Sequence, residues 1–353
     1  MSRASSRRRA RARFLARAAS LAALVSIGVV ALAAAGARRG PDPDPGATRA
    51  APAARRIAFT FDDLPGVGFR PSLAAFERIT EGLVPGLVRH GIPAIGFVNE
   101  QKLYVDGELD PERVALLRVW VDAGLELGNH SFSHPDLHTT PLEAFEADVL
   151  RGETVTRELL AAAGMAPRFF RHPFLHTGRS LEIRTAFEAF LAEHGYRVAP
   201  VTIDNQEWIF ARAYDHALAR EDGELAERIS GEYVTYMDSV IAYYEAQSVA
   251  LTGYEIPQVL LLHANQLNAD ALDPLVGAVR ARGYEFVTLD EALTDPAYAL
   301  PDEFVGSGGI TWLHRWALTR GERGEFFLGE PGVPPFVQDA FDHPPEGSRP
   351  PEG

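Results

Sequence analysis

The stretch FTFDDLPG, residues 59–66, sets two carboxylates side by side, Asp62 and Asp63, between an apolar run and a Pro-Gly turn. Adjacent acids in such a place are either turn residues that cap backbone amides or a divided pair, one holding a cation and the other taking a proton. The divided reading needs partners, and the chain offers them: His130 and His134 in NHSFSH, Arg171 in RHPF, Asp204 in IDNQEW and His263 in LLLH. Two histidines and a carboxylate suit Zn²⁺ with one position open for water, the form of a catalytic rather than a structural site. Asp63, His130 and His134 make that set. Water acidified by such an ion is a nucleophile near neutral pH, and the ion also polarises a carbonyl. Asp62 is left as general base, and Arg171 is the right type of residue to hold it ionised. His263, whose imidazole carries a proton near neutral pH, suits protonation of a leaving group. The reaction class is hydrolysis of an amide or ester.

Each motif alone has a plainer explanation. H-x-x-x-H is a weak pattern, and a metalloprotease would need Glu where Ser131 stands. Arg171 alone reads as a surface ion pair, and His263 alone as a half-buried strand-end histidine. The joint pattern is positional. Apolar runs at 57–61, 94–98, 125–128, 168–170, 196–203, 259–262 and 285–289 predict strands, separated by amphipathic stretches that predict crossover helices. Asp110-Pro111 and Thr140-Pro141 with Glu143 open helices, and Gly91, Gly164 and Gly195 close them. The polar clusters follow the first, third, fourth, fifth and sixth runs. A parallel α/β fold brings the C-terminal ends of its strands to one face, so the clusters converge.

In this order TFDD, HSFSHP, RHPF and LLLH resemble the polysaccharide deacetylase family, also called the NodB-homology or carbohydrate esterase family 4 domain, over roughly residues 55–295. The resemblance implies an irregular (β/α) barrel, with Asp62 as base, Asp63, His130 and His134 as metal ligands, His263 as acid and Arg171 as partner of Asp62. It also implies that the Phe174 backbone N–H helps hold the oxyanion and that Leu261 lines the pocket for the acetyl methyl. The acid-and-Trp motif maps onto IDNQEW, with Asp204 as the partner that tunes His263 and Trp208 at the substrate site. Three features depart from the family pattern. FLHTG follows RHP, with His172 and His176 as extra histidines read as loop residues open to a substrate contact; HANQLNAD is an unusual continuation after the acid; and residues 206–253 form a helical insertion. His138, in HPDLH, reads as structural.

Composition narrows the classes. The 353-residue chain has no cysteine, so any metal is held by His, Asp or Glu, and Lys102 is its only lysine. Net charge is −14 although residues 1–56 carry 12 Arg and two Asp, so the remainder is strongly acidic and nucleic acid is not an expected partner. A basic N-terminus followed by an uncharged run from Ala18 to Ala37 predicts a signal peptide or a membrane anchor over 1–37 and hence export. A Pro-rich linker is expected over 38–56, the catalytic domain over 57–295 and a C-terminal extension over 296–353. The expected activity is removal of acetyl from N-acetylated sugars of a cell-envelope or extracellular glycan, peptidoglycan or poly-N-acetylglucosamine first. The rivals are an O-acetyl esterase on xylan and a silent glycan-binding module. Oligomeric state is not legible.

Overall fold

A computed structural model describes residues 55–345. The expected signal or anchor segment and most of the linker lie outside the described residues. Among the described residues no helix is long and apolar enough to cross a membrane.

Seven strands form one parallel sheet: β1 (Arg55–Leu64), β2 (Ile95–Val98), β3 (Glu126–Asn129), β4 (Phe169–Phe170), β5 (Arg197–Val198), β6 (Gln258–His263) and β7 (Tyr284–Phe286). Their order is β5-β4-β3-β2-β1-β6, with β7 also paired to β1. Past β5 the chain bridges Ile203 to Leu260 of β6. That bridge brings the two ends of the sheet together, so the sheet curls into an irregular (β/α) barrel. The expected strand over 196–203 is thus regular only at its start and serves afterwards as the closing segment. Arg55 and Arg56, read above as linker, are strand residues because β7 pairs Tyr284 with Arg55 and Glu285 with Arg56.

β1 reads as a continuous apolar run because it has neighbours on both edges and is covered on both faces, the usual state of a central parallel strand. Residues Ile57 to Phe61 are all buried, and the Phe61 ring meets Trp120 edge-on at 5.9 Å. Helix ends follow local chemistry. Asp110 accepts the Glu112 N–H with Pro111 as first residue of the Pro111–Asp122 helix, and Gly91 closes Leu73–His90 at φ 64°, a conformation that costs glycine little. The helix expected from Thr140 begins at Leu142, with Pro141 in the capping position.

Residues 206–253 fold as two helices, Glu207–Ala219 and Gly223–Thr252. The C-terminal segment joins the same hydrophobic core through Leu313, Trp316 and Val337. Its Trp312 N–H donates to the Val201 carbonyl (2.7 Å), tying it to the closing segment, and its last helix, Pro335–Asp342, offers the Ala340 carbonyl to His216 Nδ1 at 3.0 Å.

Candidate active site

Asp62 and Asp63 stand where the β1–β2 register shifts between Phe61 and Leu64. Side chains of successive strand residues point to opposite faces, and a bulge re-aims one of them. Asp63 has φ 73°, and the irregularity lets both neighbours serve one site.

Arg171 is fully buried. Its Nη1 lies 3.3 Å from both oxygens of Asp62, its Nε donates to the Ala199 carbonyl at 2.9 Å and its Nη2 to Thr60 Oγ1 at 2.9 Å. The hold on Asp62 is therefore one nitrogen straddling two oxygens, with the rest of the guanidinium fastened to the barrel wall. Burial pushes the Asp62 carboxyl up to about 6, against the pull of Arg171.

Asp63, His130 and His134 each offer a donor atom, all within 4.8 Å of one another. His130 Nδ1 lies 2.8 Å from the Arg171 carbonyl. A carbonyl only accepts, so the proton is on Nδ1 and Nε2 presents its lone pair, as a metal-ligating histidine requires. Lys102 Nζ reaches Asp63 Oδ1 at 3.1 Å and its carbonyl at 3.0 Å. Burial opposes ionisation of Asp63, but Lys102 and His134 outweigh it and hold the carboxyl far below its ordinary range. The donor set fits a divalent ion.

His263 sits directly across from Asp62 in the β1–β6 register. Its Nδ1 lies 2.8 Å from Oε2 of Glu207. Burial would lower this imidazole, but Glu207 overrides it and pushes it up to about 9. The sequence reading assigned this partnership to Asp204. Asp204 Oδ1 is instead occupied by the Asn205 N–H at 2.8 Å, and the first turn of the following helix delivers Glu207 to the imidazole. The other Glu207 oxygen accepts from the side-chain amides of Asn265 and, at 2.6 Å, Asn268. The HANQLN segment that departs from the family pattern is what holds this carboxylate.

The remaining predicted residues fall around this centre. Leu261 shares the His263 face of β6 and is 7% exposed. Phe174 is exposed, at φ 57°, with its ring edge-on to His134 at 4.5 Å. Trp208 lies at a cleft of about 680 Å³ that opens from Asp63 and His263 and is walled also by Phe69, Arg212 and Phe341. Two close approaches escaped sequence reasoning. A Cβ on Gly152 would stand 2.4 Å from Phe132 N and Ser131 C, and one on Gly309 would stand 1.8 Å from the Phe174 carbonyl oxygen.

Residues 49–199 match the sequence model of the family described as polysaccharide deacetylase. Over this segment the chain is similar to the polysaccharide deacetylase family. Among its relatives, the peptidoglycan-N-acetylglucosamine deacetylase of Bacillus cereus is 24% identical over 66% of this chain and 66% of its own length. That of Listeria monocytogenes is 21% identical over 67% of this chain but 38% of its own length, so the chain spans well under half of that relative. The solved peptidoglycan deacetylase PdaC of Bacillus subtilis is similar at 20% identity, over 69% of this chain and 94% of that one, with a TM-score of 0.44.

Proposed function

We propose that this chain is a metal-dependent deacetylase, with Zn²⁺ as its ion, that removes acetyl from N-acetylated sugars of a cell-envelope or extracellular polysaccharide of the peptidoglycan or poly-N-acetylglucosamine type. The observation that carries the reading is the Asp62–His263 pairing across β1 and β6, with the Asp63, His130 and His134 donors beside it. The names of the relatives support the substrate class, and the N-terminal sequence pattern supports export.

Asp63, His130 and His134 hold the ion, which when bound supplies Lewis-acid polarisation of the acetyl carbonyl and acidifies water. Asp62, largely ionised at neutral pH and oriented by Arg171, takes the proton from the attacking water. His263, protonated at neutral pH and fixed by Glu207 on Nδ1, gives a proton from Nε2 to the departing sugar nitrogen. Environments that push the two groups apart divide the base and acid roles. The Phe174 N–H adds a donor for the oxyanion, Leu261 packs against the acetyl methyl, and Trp208 offers the sugar an aromatic face.

The test is acetate release by the zinc-loaded full chain from N-acetylglucosamine oligomers, peptidoglycan fragments and acetylated xylan. Asp62→Asn is expected to abolish release with zinc retained, whereas Asp63→Ala or His134→Ala is expected to lower bound zinc and activity together. Release from xylan alone would make the chain an O-acetyl esterase. Loss of zinc in Asp62→Asn would overturn the division of roles.

A further inference from the structure

The Phe174 ring touches a second imidazole besides His134, that of His176 at 5.8 Å between centroids. Around His176 lies a second convergence of metal-ligating side chains that the proposed chemistry does not use. Asp136, His138 and His176 each offer a donor atom, all within 4.8 Å of one another. The His138 and His176 rings stack at 3.8 Å with 7° between their planes. Stacked rings aim their in-plane lone pairs in parallel, so to share an ion at the ~2.0–2.1 Å that zinc takes from histidine nitrogen the two imidazoles must tilt out of the stack.

The cluster is built rather than incidental in three respects. Asp136 Oδ1 accepts the His138 N–H at 2.7 Å and faces His176 Nδ1 at 2.8 Å. His176 Nδ1 and Asp136 Oδ1 therefore face one another, and an ion held by both takes the place of the proton between them. His138 Nδ1 is buried and has no hydrogen-bond partner among the described residues. Arg179 and Arg315 are near enough for His138 to feel their charge.

We propose that Asp136, His138 and His176 form a second zinc site, which clasps the loop carrying His134 to the loop carrying Phe174. Its consequence is mechanical: the segment whose backbone N–H serves the oxyanion is fastened from behind.

The full chain, wild type and variants, is equilibrated with metal-buffered zinc and its bound ions are counted by elemental analysis. Two ions per wild-type chain, one in His134→Ala and one in the His138→Gln/His176→Gln double variant are expected. One ion in wild type that persists in the double variant would make the stacked pair purely structural, and two ions persisting in the double variant would place the second ion elsewhere. No ion in any chain would overturn both sites. Should the double variant fail to fold, the His134→Ala chain decides: a zinc-dependent rise in Tm supports the site, and its absence overturns it.

Discussion

His263 Nδ1 meets Oε2 of the fully buried Glu207 at 2.8 Å, and that carboxylate is gripped on its other oxygen by two asparagine amides. An imidazole so supported stays protonated up to about pH 9. With His263 as the proposed acid the protonated form is the competent one, so kcat/KM is expected to fall as pH rises through that region. Glu207→Gln removes the opposing charge, lowers the imidazole pKa and is expected to move the alkaline limb down by about 1–3 units. A pH profile of the two proteins checks this, and an unmoved limb would take Glu207 out of the acid's environment.

Arg171 is anchored by Ala199, Thr60 and Asp62 and has no exposed surface. Removing one partner of a buried ion pair leaves a bare charge, so Arg171→Met is expected to cost about 3–5 kcal/mol in denaturant unfolding. Adding Asp62→Asn neutralises the stranded carboxylate and is expected to recover part of that loss. Strictly additive destabilisation in the double variant would contradict the pairing.

Gly152 supports the loop of His130 and His134 by close backbone contact with Ser131 and Phe132. Backbone atoms cannot rotate away as a side chain can. Gly152→Ala is therefore expected to displace that loop and weaken zinc binding by about tenfold or more, read by chelator competition. Gly277, in the Leu272–Ala281 helix with nothing within 4 Å of its added Cβ, is the control. There alanine is expected to be neutral or to stabilise by up to about 1 kcal/mol.

Trp316 is 2% exposed in the shared core and Leu328 is 70% exposed. Trp316→Ala is expected to cost about 3–5 kcal/mol, and Leu328→Ala less than about 0.5 kcal/mol. Thermal or denaturant melts of both separate a C-terminal segment that is integral to the barrel from one that merely lies on it.

The barrel was legible because strands buried on both faces appear as unbroken apolar runs, and the convergence of polar residues was legible because each follows such a run. What stayed hidden depends on contacts between distant parts of the chain. Asp204 and Glu207 both precede or open one helix, and only Asn265 and Asn268, about sixty positions on, decide which carboxylate faces His263. Lys102 lies 39 residues from the Asp63 it touches. Gly152 and Gly309 look like ordinary turn glycines until the backbone they abut is placed beside them.

The strand that carries both aspartates has its β6 neighbour far downstream: Thr60 Oγ1 donates to the carbonyl of Leu260, 200 positions later. Such pairing must overcome the entropy of closing a very long loop before any contact rewards it, and topologies rich in it fold slowly. Asp62 and His263 are therefore brought together only by closing a loop of roughly two hundred residues, and their juxtaposition belongs to the closed barrel rather than to either segment alone.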